Sequence, residues 1–278
     1  MTRNAKGKGE IFRALHARDG AFIIPNPWDV GTARILASMG FDSLATTSAG
    51  LAFSLGVPEG RVNRDQALAH CRDIVGATDL PVSADLEKGF GDSPQDVADT
   101  IRAAAETGLA GCSIEDYTGR ADEPIYDFNL TVDRIAAAVE ASRALRQDFV
   151  LTARAENFLH GRQELDDTIK RLQAFEAAGA DVLYAPGLRD LDTIRTVCAA
   201  VSKPVNVVMG LPGATFGVSE LAEAGVKRIS VGSALARLAY GVVVAAAKEM
   251  AEQGTFRFSN NAIGFKALED IFTTFESR

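Results

Sequence analysis

The sequence is poor in the residues that most often announce a chemistry. Histidine occurs three times in 278 residues, at His16, His70 and His160, and no two stand at the spacing of a metal-ligand pair. That argues against zinc held by imidazoles and against a Ser-His-Asp hydrolase. Cysteine also occurs three times, at Cys71, Cys112 and Cys198, with no Cys-x-x-Cys spacing. Such scatter fits buried thiols in a reducing cytoplasm and speaks against disulfides. Positive charge is short as well: the net charge is −8 and no basic stripe interleaves with aromatics, so a nucleic-acid surface is not expected. Long apolar runs are missing. The most apolar late stretch, Leu238 to Ala247, is far shorter than the roughly 20 residues that cross a bilayer. Met1 to Glu10 is polar and basic and has no apolar segment of a secretory signal.

What is present is a regular alternation of short β-like runs and longer helical ones. The pairs are Ala21–Pro25 with a helix over about Val30–Met39, Ser43–Thr46 with Arg64–Ala77, and Pro81–Asp85 with Pro94–Glu106. Gly111–Glu115 follows with Thr131–Leu145, then Phe149–Arg154 with Glu164–Ala178, and Asp181–Ala185 with Asp190–Ala200. Pro204–Met209 with Val218–Ala224 and Arg228–Gly232 with Ala234–Met250 complete eight units. Strands alternating with helices imply a parallel sheet, and eight units over about 230 residues imply an α/β fold of the (β/α)8, TIM-barrel type. Gly40, Gly108, Gly179 and Gly225 each follow a helical run, as helix-ending glycines do, and Ser93-Pro94 supplies an N-cap with a first-turn proline. An open doubly wound sheet is the alternative, but no Gly-x-Gly-x-x-Gly follows the first run. One domain over residues 1–278 is expected, with the barrel at about 21–250 and a helical extension at about 251–278 that packs on this subunit or a neighbour.

Active sites of such barrels lie at the C-terminal ends of the strands, and there this chain gathers acids. Asp85 and Glu87 follow strand 3, and Glu115 with Asp116 follows strand 4. Alternation directs residues 85 and 87 to one side, and strands 3 and 4 should be neighbours roughly 5 Å apart. Unpaired carboxylates so placed raise one another's pKa values, and a hard divalent cation relieves them. Oxygen ligands with no nearby histidine or cysteine favour Mg²⁺, or Mn²⁺, over zinc. The alternative is helix capping and ion pairs to Lys88 and Arg154. Arg154 ends an apolar strand, where a cation needs an anionic partner: Glu115, Glu156, or a substrate carboxylate or developing oxyanion. Thr46 to Gly50 is a run of small residues whose backbone N–H groups could approach an anion, although many tight turns share that look. Gly232-Ser233 could hold a phosphate in the same way. Together, a cation, an arginine and backbone amides suit a small carboxylate substrate and the enolate made by breaking a bond next to its carbonyl.

The ordered motifs Pro25-Asn26-Pro27-Trp28-Asp29, Thr46 to Leu51 with Leu55-Gly56-Val57-Pro58-Glu59, Asp85 to Gly91, Ser113 to Asp116 and Thr152-Ala153-Arg154 resemble the isocitrate lyase/phosphoenolpyruvate mutase superfamily over nearly the whole chain. The resemblance implies a Mg²⁺-dependent barrel, a homo-oligomer (dimer or tetramer) with a C-terminal helix swapped between subunits, and enolate chemistry. It implies Asp85 as the principal metal-side acid, with Glu87, Glu115 and Glu59 completing the metal shell, partly through water. Thr47, Ser48 and Ala49 would hold the substrate carboxylate, Arg154 would bind substrate and stabilise the oxyanion, and Asn206 and Trp28 would line the pocket. Asp85, Glu115 and Arg154 are the implied catalytic set. The chain departs from the pattern at Glu87, where aspartate is usual, at Lys88, and at Tyr117 to Pro124, where lyases carry a cysteine as general acid. Tyr117, Arg120, Asp122 or Glu123 are the substitutes on offer. Three functions follow: carbon–carbon cleavage of a small α-keto or α-hydroxy polycarboxylate, by retro-aldol reaction or decarboxylation; carbon–phosphorus chemistry as a mutase or phosphonopyruvate hydrolase; and a keto-acid-binding protein with little turnover.

Overall fold

The computed structural model describes residues 7–276, so residues 1–6 of the polar N-terminal stretch and the last two residues of the tail lie outside the described part. Eight parallel strands form the sheet: β1 (Phe22–Ile24), β2 (Leu44–Ala45), β3 (Val82–Asp85), β4 (Gly111–Glu115), β5 (Val150–Arg154), β6 (Val182–Tyr184), β7 (Val205–Val208) and β8 (Arg228–Ser230). They run in the order β1-β8-β7-β6-β5-β4-β3-β2, a (β/α)8 barrel closed at one seam by few bonds. At that seam Ala45 N donates to Pro25 O at 3.0 Å. Asn26 reinforces it: its Nδ2 donates to Thr46 O at 3.0 Å, while its Oδ1 accepts from Val231 N and Gly232 N at 2.9 and 3.0 Å. One buried amide thus ties β1 to the ends of both its neighbours.

The helices expected from the apolar spacing are present: α2 (Val30–Ser38), α4 (Arg64–Ala77), α5 (Pro94–Ala105), α6 (Phe128–Arg143), α7 (Leu165–Ala178), α8 (Leu191–Ala199), α9 (Val218–Glu223) and α10 (Ala234–Lys248). Their ends obey local rules. Ser93 caps α5 through Asp96 N at 3.2 Å, and α7 stops at Gly179, whose φ of 105° a side chain would resist. Two helices go beyond expectation. α1 (Lys8–Ala17) hides an amphipathic face, Phe12, Leu15 and His16, among charged neighbours. α3 (Ser48–Ser54) begins inside the small-residue run, with Thr47 Oγ1 accepting from Gly50 N at 3.2 Å. In the tail, α11 (Phe265–Thr273) packs on α2 of the same chain, and Arg34 lies 5.7 Å from the Phe275 ring.

Alternation sorts the strand residues. Val82, Ala84, Cys112, Ile114, Leu151, Ala153, Leu183, Val205, Val207 and Ile229 face outward into the helical layer. The inward set is smaller and more polar. Phe22, Ile24, Val150 and Val182 pack with Phe12 and Leu15 of α1 to plug the N-terminal end. Above them stand Ser83, Ser113, Thr152, Asn206 and Ser230, too small to fill the bore that branched residues usually fill. Arg228 crosses this floor: Nε donates to Asn206 Oδ1 at 2.8 Å, Nη2 donates to Thr152 Oγ1 at 3.0 Å, and Nη1 lies 3.4 Å from His16 Nε2.

His16 is wedged between the Phe12 and Phe22 rings, edge-on to both. Burial and the Arg228 guanidinium push its pKa down to about 3, so the ring stays neutral, with Nδ1 donating to Phe12 O at 2.9 Å. An unfolded chain takes up that proton below about pH 6.5, so this contribution to stability is complete above that pH and fades as pH falls toward 3. In urea titrations His16→Asn should therefore lose less stability than the parent between pH 6.5 and 4, by up to about 3 kcal/mol; parallel losses would place the acid sensitivity elsewhere.

Candidate active site

The open bore becomes a cavity of about 210 Å³ at the C-terminal ends of the strands. Asp85, Arg154, Ser48, Glu59, Asn206 and Tyr184 line it, with Thr47 and Ala49 at its rim and Arg228 at its base. Asp85 is held from every side: its N donates to Thr46 Oγ1 at 3.0 Å, and its Oδ2 accepts from Ser48 Oγ at 2.9 Å and Ser48 N at 3.3 Å. Ser48 Oγ also lies 3.1 Å from Glu59 Oε1. A hydroxyl has one proton, so Ser48 can satisfy only one of these carboxylates at a time.

Arg154 reaches the cavity from the end of β5 and meets three acids. Nη1 pairs with Asp85 Oδ1 at 2.9 Å, Nη2 with Glu115 Oε2 at 3.1 Å, and Nε with Glu156 Oε1 at 2.8 Å. Its guanidinium also lies 5.0 Å from the Tyr184 ring centre. The partners proposed singly from the sequence thus act together. Asp116 turns the other way, to Arg171 at 3.2 Å and Glu156 N at 2.7 Å, and so fixes the backbone beneath this cluster.

Glu87 shares a crevice with Asp85, as expected, but not through strand alternation. β3 ends at Asp85, and Glu87 has φ of 49°, so the period of two does not carry across. Its side chain lines a narrow crevice behind Ser48, beside Val62 and His70, rather than the main cavity. Glu115 and Trp28 also stand outside the cavity lining. Glu115 is covered by Arg154, and the Trp28 carbonyl lies 2.9 Å from His70 Nε2.

Five carboxylates gather at this end of the barrel: Asp85, Glu115 and Glu156 on Arg154, Glu59 in the cavity wall and Glu87 in the adjoining crevice. Burial, then Asp85 and Glu59, push Glu87 up to about 7. Burial and Asp85 raise Glu59. Burial raises Glu115 and Glu156 too, against the pull of Arg154. Lys88 gives little relief, because its Nζ is turned to Asp92 at 2.6 Å and Thr118 O at 3.0 Å. Among the described residues no three acid, histidine or cysteine side chains gather around one point at ligating distance, since Arg154 draws Asp85 and Glu115 to itself. The donor set of Asp85, Glu59, Glu87 and the Ser48 hydroxyl is nonetheless all oxygen and short of positive charge, which fits a hard divalent cation held partly through water.

The loop after β4 closes on itself. Tyr117 bridges to Ile125, Thr118 N donates to Pro124 O at 2.8 Å, and Arg120 pairs with Glu123 at 3.0 Å. The Tyr117 ring stacks on His160 at 3.7 Å. None of Tyr117, Arg120, Asp122 and Glu123 lines the cavity. Sequence reasoning passed over Ser230 and Arg228; it offered Glu156 only as a single alternative partner of Arg154, and Tyr184 only as the residue that ends strand 6. Arg228 carried the same signal as Arg154, a cation in a β-like run. Arg154→Met should destabilise the protein by about 3–5 kcal/mol in denaturant titration, because it leaves three buried acids without their cation, and lowering the pH toward 5 should recover part of the loss. A smaller effect insensitive to pH would show that the acids do not depend on Arg154.

Residues 12–251 match the family model described as phosphoenolpyruvate phosphomutase. A 2-methylisocitrate lyase of Escherichia coli (strain K12) is 32% identical over 226 residues, covering 78% of this chain and 75% of the relative. A crystal structure from Burkholderia cenocepacia J2315, described provisionally as a lyase/mutase, superposes with a TM-score of 0.93 at 60% identity and covers 95% of both chains. The structure of 2,3-dimethylmalate lyase, described as a member of the phosphoenolpyruvate mutase/isocitrate lyase superfamily, superposes with a TM-score of 0.86 at 27% identity over 98% of this chain and 97% of that one. The chain therefore belongs to the phosphoenolpyruvate phosphomutase family and is an enzyme of the phosphoenolpyruvate mutase/isocitrate lyase superfamily.

Proposed function

We propose that the protein is a Mg²⁺-dependent lyase that cleaves a carbon–carbon bond in a small α-keto or α-hydroxy polycarboxylate through an enolate. The observation that carries the reading is the mouth in which one guanidinium and the residues of a small-residue turn line a cavity bordered by surplus carboxylates. Asp85, Glu59 and Glu87, with Glu115 behind Arg154, would hold the cation, which supplies Lewis-acid polarisation of the substrate oxygens when bound. Thr47, Ser48 and Ala49, at the start of α3, would offer backbone N–H groups to the substrate carboxylate, with the Ser48 amide turning from Asp85 Oδ2 to do so. Arg154, fixed on three sides, keeps its guanidinium face toward developing oxyanion charge without reorganising. Asn206 offers an amide to the far side of the ligand. The names of the E. coli relative and of 2,3-dimethylmalate lyase support cleavage of a branched polycarboxylate. Phosphonate chemistry is less favoured, because Lys88 and Arg120, the cations it would recruit, are both paired with acids. The self-bonded loop after β4 favours, as second reading, a keto-acid-binding protein with little turnover.

The test is a panel of such acids assayed for pyruvate or glyoxylate release with and without EDTA. The expected result is Mg²⁺-dependent release, at least about 10³-fold weaker in Asp85→Asn, which lacks a charge that differential binding of the transition state requires. Tight oxalate binding with no turnover across the panel would favour the binding reading, and metal-independent release would remove the cation from the scheme.

We infer self-association as well, with a second copy of this chain as the occupant of α10. That helix buries only Ala236, and Leu238, Val242, Val243 and Val244 are 53–66% exposed. Beside them lies an apolar groove lined by Phe53, Val57, Pro58 and Tyr240, so one chain carries both a ridge and a groove, as a two-fold contact needs. Val243→Glu should shift sedimentation from oligomer to monomer. A parent that sediments as a monomer ends this inference.

A further inference from the structure

An enolate released by bond cleavage becomes product only when a proton reaches its carbon, so the reading above leaves a donor to be found. The loop after β4 does not line the cavity, and among the described residues that do, there is no histidine, lysine or cysteine. Arg154 and Arg228 do not give up protons. Asp85 is engaged as an acceptor by Arg154 and Ser48. Beyond the carboxyl of Glu59, at the metal-side edge, the remaining acidic group is the phenol of Tyr184.

We propose that Tyr184 is the acid that protonates the enolate carbon, an assignment that rests on the enolate reading of this same site. Four in-register residues place it. Arg154, Tyr184, Asn206 and Arg228 are successive partners across β5, β6, β7 and β8, all facing the bore. The Tyr184 ring lies under the Arg154 guanidinium, 5.0 Å from it, and the nearby Ser230 side chain favours the ionised form of its phenol, against the larger effect of burial. Ser230 Oγ accepts from Asn206 Nδ2 at 3.1 Å and lies 3.3 Å from Val207 O. Asn206 is in turn held by Arg228 Nε at 2.8 Å. Arg228 has only neutral partners, Asn206, Thr152 and His16, although it is buried. A phenolate formed at Tyr184 thus lies between two guanidiniums, one of them uncompensated, with a serine hydroxyl able to turn its proton from Val207 O to the phenolate oxygen.

In the step, the Tyr184 O–H bond breaks as a C–H bond forms at the enolate carbon. The electron pair of the enolate double bond makes the new bond, the enolate oxygen becomes a carbonyl, and the phenolate recovers its proton from water once product has left. Burial pushes the phenol above its ordinary pKa, so it holds its proton at neutral pH until a strongly basic carbanion is presented.

The experiment uses the full chain with Mg²⁺, the parent and Tyr184→Phe, which keeps the ring under Arg154. Oxalate, a planar mimic of the pyruvate enolate, is titrated calorimetrically, and exchange of pyruvate methyl protons into D₂O is followed by NMR. The parent should bind oxalate and catalyse exchange. Tyr184→Phe should bind oxalate within about threefold of the parent and exchange at least 100-fold more slowly. A variant that exchanges within tenfold of the parent overturns the assignment, with Glu59→Gln then the next donor to remove. A variant that loses oxalate binding also overturns it, by making Tyr184 a support for Arg154. A parent that binds oxalate without exchange overturns it while leaving the enolate site standing, and one that binds no oxalate removes both.

Discussion

The structure turns on the Arg154 guanidinium and the three carboxylates it holds. Asp85 comes from β3, Glu115 from β4 and Glu156 from the turn after β5, so one side chain ties three neighbouring strand ends at the mouth. A buried cluster of this kind is not a source of stability in itself, because desolvation consumes most of the Coulomb gain. Its use is positional. With three partners at 2.8–3.1 Å the guanidinium has no freedom to swing. Glu59 and Glu87 stand outside these ion pairs, and burial with the nearby Asp85 raises both of their pKa values.

This arrangement requires an open bore, and the chain provides one by keeping its inward residues small. Ser83, Ser113 and Thr152 stand where branched residues usually interlock, so the cavity reaches down to Arg228. The closure lost at the top is made up at the bottom, where α1 inserts Phe12 and Leu15 among Phe22, Val150 and Val182. His16 and Arg228 sit at the boundary between this plug and the polar bore, and the neutral imidazole there accepts the neighbouring guanidinium without adding charge. The α1 plug thus gives the floor of the site its rigid backing.

Much of this was legible in the chain. The eight β-like runs lie where the alternation put them, with Asp85, Glu115 and Arg154 at their ends, and the helix caps at Ser93 and Gly179 act as their residue types dictate. Three things were not. α1 was masked by charged flanks, because its apolar face is only a few residues wide. Glu87 was assigned by a period of two that ends with β3 at Asp85, and a φ of 49° at Glu87 itself turns the backbone. The loop from Tyr117 to Pro124 offered four polar groups as proton donors, but its own bridge and ion pair keep them out of the cavity.

By itself, then, the sequence determined the barrel, which residues end its strands, and the excess of carboxylate over cation at that end, because apolar period and residue type are local properties. Only the tertiary structure decided who meets whom. Arg154, Tyr184, Asn206 and Arg228 are 30, 22 and 22 positions apart in the chain and become neighbours only through the parallel register of β5 to β8. Register is set by the closure of the whole sheet, with its tilted strands and its last seam pinned by Asn26, and no local pattern encodes it. The same closure gives Arg154 three acids where the sequence offered a choice of one.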